Sequence, residues 1–189
     1  MDEGHTFEAI HVFQELMILL QRCHDSSFRL AEYVRLQLGI CYRTAGMYDR
    51  SIHQLDDAID IEADWHTTFL LHRTWSKIFA TDYLGAIADC QLAASISTTR
   101  AEPCEILALI HYYLEDYELS DIFFRKSLDL GSFCPVLKRL YCFLLATSPL
   151  KSVRNGNEAI GMMMQDCEES DFREWGSVSI LAAAYAAVG

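Results

Sequence analysis

The sequence has little proline, few basic residues and no long apolar run, and each shortage argues against a class of protein. Only three prolines occur among 189 residues, so long uninterrupted helices are permitted. Fifteen Lys and Arg residues against 27 Asp and Glu give a net charge of −12, where nucleic-acid binding would call for a basic stripe. The longest apolar run near the N-terminus, residues 16–20, is too short to span a bilayer. We therefore expect neither a nucleic-acid partner nor a membrane partner.

The short motifs of common active sites and metal centres are also missing. The sequence contains no HExxH, GxGxxG, GxxxxGK[ST] or GxSxG, and its seven cysteines form no CxxC. An odd number of cysteines, several of them on apolar helix faces, indicates reduced buried thiols in the cytoplasm and no disulfide framework. We expect no catalytic residue, no cofactor and no metal ion, and therefore a protein that is not an enzyme.

A self-similar block of about 34 residues recurs along the chain. Its clearest marks are Tyr48, Tyr83 and Tyr117, which lie 35 and 34 residues apart. Within the first block, apolar and small residues recur at helical spacing on both sides of Gly46, a residue suited to the left-handed end of a helix. The block therefore predicts two antiparallel helices joined by a tight turn, and the period predicts stacked copies of that unit.

Residues 32–65 resemble a tetratricopeptide repeat, and the match lies at Leu38, Gly39, Tyr42, Gly46, Tyr48 and Ala58. The second copy departs from the family pattern because Arg73, Thr74 and Lys77 stand where Leu, Gly and Tyr are favoured. The C-terminal strings LATSP…RNGNEAI and LAAAYAAVG look like a variant found in bacterial tetratricopeptide proteins. The resemblance implies an all-α, right-handed superhelical solenoid of antiparallel helix pairs.

The blocks predict one continuous solenoid over residues 1–189. It would contain an N-terminal helix at 6–22, repeats at 32–65, 67–98, 101–132 and 135–169, and a terminal helix at 175–189. We expect Gly39 and Ala58 where the two helices of the first repeat cross, and Asp82 and Asp116 as N-caps of second helices. The insertion at residues 149–155 contains turn-forming residues and has no predicted role.

The resemblance implies that the first helices of successive repeats line a groove that binds a protein or peptide. Some tetratricopeptide domains hold acidic peptide tails with Lys, Arg and Asn side chains, whereas the groove here is predicted to be aromatic and apolar with an acidic edge. An apolar or basic partner is therefore expected. The predicted groove residues are Tyr33, Leu36, Ile40, Arg43, Leu71, His72, Trp75, Phe79, Glu105, Leu109, Tyr112, Arg139 and Phe143.

Three alternatives stay open at this point. Trp75 and Phe79 suit the packing between helices as well as contact with a ligand. The terminal helices are apolar enough for copies of the chain to stack end to end as a homo-oligomer, which would make the protein a structural subunit. The chain could also be a regulatory segment of a larger multidomain enzyme, such as a kinase.

Overall fold

The computed structural model describes residues 3–22, 28–59, 63–132 and 134–189, and within these ranges the chain forms ten α-helices and no β-strand. The predicted all-α class is therefore confirmed. The helices are α1 (Glu3–Arg22), α2 (Phe28–Thr44), α3 (Tyr48–Ile59), α4 (Ala63–Phe79), α5 (Tyr83–Ile96), α6 (Glu102–Tyr113), α7 (Tyr117–Asp129), α8 (Pro135–Thr147), α9 (Gly156–Glu169) and α10 (Trp175–Val188).

The helices group into two compact units, Met1–Thr98 and Thr99–Gly189. In the first unit, each helix from α1 to α4 packs against the helix that follows it. In the second unit, α6 packs against α7, α7 contacts α8, and α10 packs against both α8 and α9. The prediction that residues 1–189 form one continuous solenoid, with the repeat boundaries given under Sequence analysis, stays a prediction.

Left-handed turns end the first helix of each of three hairpins. Gly46 has φ +74°, which confirms the predicted cap. Thr81 (φ 62°) lies 35 residues after Gly46, Glu115 (φ 60°) lies 34 residues after Thr81, and both adopt the same left-handed conformation. Residues with a Cβ disfavour this region by about 1–2 kcal/mol, so Thr81 and Glu115 keep the turn against their own preference. Packing of the paired helices holds them there.

Asp82 and Asp116 cap α5 and α7, as predicted. The Asp82 carboxylate accepts the Gly85 N–H at 3.0 Å, and the Asp116 carboxylate accepts the Leu119 N–H at 3.3 Å. Asn155 does the same for α9 by accepting the Glu158 N–H at 3.2 Å. Each cap satisfies one of the backbone donors that a helix start leaves without a partner, and stabilises its helix by about 1 kcal/mol.

The first hairpin depends on a close approach of α2 and α3 at Gly39. A Cβ atom on Gly39 would lie 2.9 Å from Cγ of Leu55, closer than side chains tolerate. Ser51 takes part in the same crossing, because its hydroxyl donates to the Gly39 carbonyl at 2.6 Å. The predicted role of Gly39 is confirmed, whereas the Ala58 side chain lies outside the described residues.

In the second hairpin, the charged residues Arg73 and Lys77 form ion pairs at the positions where the family favours Leu and Tyr. Arg73 on α4 donates to both carboxylate oxygens of Asp89 on α5, at 2.8 and 2.6 Å, and to Asp56 on α3 at 2.6 Å. Lys77 adds a fourth contact, 2.8 Å from Asp89. Burial by itself would lower the pKa of Arg73, but the hydrogen bonds to Asp89 and Asp56 outweigh it and the pKa is raised. These charges explain the departure from the family pattern in this copy.

The insertion contributes to a hydrophobic core of the second unit. Ser120 donates to the Ala108 carbonyl at 2.9 Å, which repeats the Ser51–Gly39 contact in another hairpin. Val153, within the insertion, is buried in the same cluster as Tyr141 and Met163. The buried Val153 side chain therefore attaches the insertion to the core. The insertion ends at Asn155, the N-cap of α9.

Gly39→Leu should overpack the α2–α3 crossing and lower the free energy of unfolding by about 1–3 kcal/mol, because the added side chain must displace Leu55. The matched control is Gly161→Leu on α9, where a Cβ atom meets nothing within 4 Å. The control should gain stability, since leucine favours a helix more than glycine does. Urea unfolding gives the free energy of unfolding of both variants. Equal changes in the two variants would contradict a close helix crossing at Gly39.

Candidate functional site

The predicted groove residues are divided between the two units, and each set is described separately. Tyr33, Leu36, Ile40 and Arg43 lie on one face of α2, at spacings of three or four residues. Leu71, His72, Trp75 and Phe79 lie on one face of α4. The five others lie in the second unit, with Glu105, Leu109 and Tyr112 on α6 and with Arg139 and Phe143 on α8.

Two of the eight residues in the first unit are buried in its core. Leu36 is 5% exposed and packs with Leu55 and Phe69, while Leu71 is 3% exposed. Ile40 is partly buried against the same cluster as Leu36. Surface contact in this unit is therefore left to the remaining residues, which we call the α2–α4 face: Tyr33, Ile40, Arg43, His72, Trp75 and Phe79.

Arg43 and His72 hold the two helices of this face together. The guanidinium Nη1 of Arg43 donates to the His72 carbonyl oxygen at 3.2 Å and lies 3.4 Å from the ring nitrogen Nδ1. Burial, and then the charge of Arg43, lowers the pKa of His72 to about 4. The imidazole is therefore neutral at pH 7, and in the tautomer that carries its proton on Nε2, Nδ1 can accept from the guanidinium.

Arg43 is half-buried without a carboxylate beside it. None of the ion pairs among the described residues includes Arg43, and burial lowers its pKa. Glu32, the one carboxylate on α2 and α4 whose side chain is described, is itself buried. The face therefore presents a cation whose N–H donors are only partly used.

Aromatic rings continue the face toward the end of α4. Phe79 stacks on Tyr48 with ring centroids 5.7 Å apart, and it also lies 6.4 Å from the Trp75 ring. Tyr48, at the start of α3, therefore packs against the end of α4 in the next hairpin. Phe79 nevertheless keeps 52% of its surface exposed, while Trp75 is half-buried.

In the second unit, Ser132 connects the predicted residue Glu105 to a cleft. The Ser132 hydroxyl donates to the Glu105 carboxylate, and Ser132 also lines an open cleft of about 730 Å³ that includes Arg139. Lys138 in the same cleft pairs with Asp166 at 2.5 Å. Sequence reasoning missed Ser132 and Lys138, because the ends of helices that form the cleft carry no repeated signal.

The other predicted residues of the second unit are aromatic or apolar. Tyr112 lies edge-on to both Tyr113 and Tyr117, with centroids 5.8 and 6.1 Å away. Leu109 is half-buried, whereas Phe143 is exposed. Burial, and then Tyr117 and Tyr113, raises the pKa of Tyr112, so its hydroxyl stays protonated and able to donate.

No group of side chains suited to binding a metal ion is found in the described part of the chain. Within those ranges, no three His, Cys, Asp or Glu side chains are placed to hold a metal ion. No described helix is both long and apolar enough to cross a membrane. Burial raises the pKa of the Cys142 thiol to about 12, which makes it a poor nucleophile. Cys23 and His24 lie outside the described residues.

Comparison with solved structures identifies the fold. A tetratricopeptide repeat protein from Parabacteroides merdae superposes with a TM-score of 0.72 over the whole chain, which covers 69% of that protein at 17% identity. MamA superposes with a TM-score of 0.57 at 14% identity, and the match covers 97% of this chain and 89% of the MamA chain. No protein-family model and no curated protein sequence matches the chain. The chain therefore has the fold of tetratricopeptide repeat proteins, which confirms the resemblance.

His72→Gln should flatten the pH dependence of stability between about pH 6.5 and pH 4, the values for the unfolded and folded states of His72. Below pH 6.5 the unfolded chain takes up a proton that folded His72 resists, so the wild type loses stability as the pH falls. Glutamine keeps an acceptor for Arg43 and cannot be protonated.

The measurement is the free energy of unfolding in urea at pH 7.5 and pH 5. The matched control is His53→Gln, because His53 is exposed on α3. The free energy of unfolding of this control should fall from pH 7.5 to pH 5 by as much as that of the wild type. If the free energy of unfolding of His72→Gln falls by as much as that of the wild type, the lowered pKa of His72 is contradicted.

Proposed function

We propose that the chain is a protein-interaction module that binds an apolar segment of another protein on the α2–α4 face and performs no catalysis. The observation that carries this proposal is the half-exposed Phe79, which is stacked on Tyr48 and in contact with Trp75. Aromatic side chains and arginine are the residues most enriched in the energetic centres of protein interfaces. Rings held in place by neighbours also lose little side-chain entropy on binding.

Arg43 supports a peptide-like partner. The guanidinium has N–H donors beyond those used by His72, and no carboxylate among the described residues occupies them. A backbone carbonyl of an apolar segment would accept from them while its side chains cover Phe79. Because α2 and α4 expose no described carboxylate, a basic segment is less favoured on this face than an apolar one.

The proposal extends to the groove residues of the second unit and to location. Tyr112, Phe143 and Arg139 combine the same aromatic and guanidinium chemistry on α6 and α8. A net charge of −12 supports a protein partner over a nucleic acid, and thiols buried at Cys90, Cys104, Cys142 and Cys167 support a cytoplasmic location.

A second candidate function, self-assembly through the terminal helices, is favoured by α10. This helix buries Ser177, Leu181 and Ala184 against its own unit, yet Trp175 is 81% exposed, and Tyr185 and Val188 are half-exposed. On α1, Phe7, Ile18 and Leu19 are likewise half-exposed. Contiguous exposed apolar surface is a mark of protein–protein contact.

Phe79→Ala should weaken partner binding by about 2 kcal/mol, which is about thirtyfold, while costing only about 1 kcal/mol of stability because half of the ring is exposed. The test is affinity capture from a lysate of the source organism, with the melting temperature measured alongside. The matched control is Ile122→Ala on α7, which removes an exposed apolar side chain that belongs to neither proposed binding surface. Equal capture by the wild type and both variants would contradict the proposal.

Trp175→Ser should test the self-assembly candidate. If copies stack through α10, sedimentation of the wild type should show an oligomer at high concentration that the variant loses. Folding should be unaffected, because Trp175 is almost fully exposed at the start of the helix. A wild type that stays monomeric at every concentration would remove this candidate.

A further inference from the structure

Helix α5 exposes an apolar stripe that its own unit does not cover. Leu84, Leu92 and Ile96 are 82%, 45% and 44% exposed, and Ala88 between them is exposed as well. These four residues, here named the α5 stripe, follow one another at intervals of four and therefore lie along one side of the helix. The opposite side of α5 buries Ala86, Asp89, Cys90 and Ala93.

At seven of the nine positions compared below, the other second helices of the hairpins carry polar residues where α5 carries the stripe. The left-handed turn residues Gly46, Thr81 and Glu115 and the cap Asn155 align the four helices. At the positions equivalent to Leu84, Ala88 and Leu92, α3 has Asp49, His53 and Asp57, α7 has Glu118, Ile122 and Lys126, and α9 has Asn157, Gly161 and Gln165. Packing of the hairpin therefore does not require leucine at these positions, so another role for the stripe is needed.

The stripe is uncharged, whereas the surface next to it is acidic. Asp89 is the one charged residue of α5, and it is buried in its pairing with Arg73 and Lys77. Arg73 pairs with Asp56 on α3 at 2.6 Å as well as with Asp89, so the end of α3 that carries Asp56 and Asp57 lies close to α5. Asp49 and Asp57 are exposed on the same helix, which carries three carboxylates against one arginine.

We propose that the α5 stripe binds an amphipathic α-helix of another protein, with its apolar side on the stripe and Lys or Arg along the flank that meets α3. Helix α5 has 14 residues and is about 21 Å long, so it matches a partner of three to four turns. Ala88 leaves room at the middle of the stripe for the partner helix to approach closely. Basic residues would meet Asp49 and Asp57, and the contact would gain both specificity and association rate.

Charge decides against a second copy of the chain as the occupant. A second copy would place its own α5 on the stripe, and its own α3 carboxylates would come with it. The whole chain also carries a net charge of −12, which opposes self-association. The α5 stripe is separate from the α2–α4 face, so this inference does not depend on the function proposed above.

The test uses a synthetic amphipathic peptide of about 18 residues with leucines along one side and lysines along both flanks, and a twin with glutamate in place of lysine. Binding of each peptide to the full chain is measured by calorimetry or fluorescence anisotropy. The decisive variant is Leu84→Asp with Leu92→Asp, which gives α5 the residues of α3. The matched control is Ile122→Asp on α7, another exposed apolar residue.

We expect the lysine peptide to bind the wild type, the Ile122→Asp control and Phe79→Ala with equal affinity. It should bind the double variant at least about tenfold more weakly, and the glutamate twin should bind the wild type at least about tenfold more weakly. The double variant is more acidic than the wild type, so attraction between charges alone would strengthen its binding to lysine. Weaker binding must therefore come from the lost apolar contact.

Several results would overturn the proposal. They are the absence of lysine-peptide binding to the wild type, equal binding to the double variant, and a wild-type dimer that the double variant abolishes, which would identify a second copy as the occupant. Circular dichroism and the melting temperature verify that the double variant folds. If it does not, Leu84→Asp alone replaces it, because that side chain is the most exposed of the stripe.

Discussion

The close approach of paired helices is the constraint on which the rest of this structure depends. At Gly39 the α2 backbone comes so near to Leu55 that no side chain fits between them, and the Ser51 hydroxyl then reaches the Gly39 carbonyl. Ser120 and Ala108 repeat this arrangement in the third hairpin. The left-handed turns at Thr81 and Glu115 persist although their side chains disfavour them, because the two helices on either side of each turn pack together. Closed hairpins are the rigid units on which every surface described above is built.

The second hairpin reaches the same geometry by a different interaction. Arg73 and Lys77 share the carboxylate of Asp89, and Arg73 extends to Asp56 on the neighbouring helix. An ion pair of this kind specifies which helices meet, since removing one partner would leave a buried charge uncompensated. It also removes the one charge of α5 from the surface and brings the end of α3 that carries Asp56 close to α5. The difference between the two helix surfaces follows from this arrangement.

The two candidate surfaces differ in chemistry as well as in position. The α2–α4 face combines a half-buried guanidinium with stacked aromatic rings, which suits the backbone and side chains of an extended apolar segment. The α5 stripe lacks hydrogen-bonding side chains among its four residues and has carboxylates beside it, which suits a helix with a basic flank. A chain with both surfaces could hold two partners at once.

The period and the small residues of the sequence predict the helix pairs, the Gly46 turn, the Asp82 and Asp116 caps and the crossing at Gly39. These features depend on contacts between residues near each other in the chain, so local pattern is enough to reveal them. The predicted surface is less complete. Leu36 and Leu71 share helix faces with Arg43 and Phe79, yet they are buried, because a neighbouring helix covers part of each face.

Only the tertiary structure shows that Arg73 meets Asp89 and that His72 meets Arg43. It also shows that the leucines of α5 face away from the core while Asp89 faces into it. Helix α5 is apolar on every side, so no periodicity in its sequence distinguishes the covered side from the exposed one. Burial and charge pairing arise between helices distant in the chain, and the spacing of residues along one helix carries no record of which neighbour it will meet.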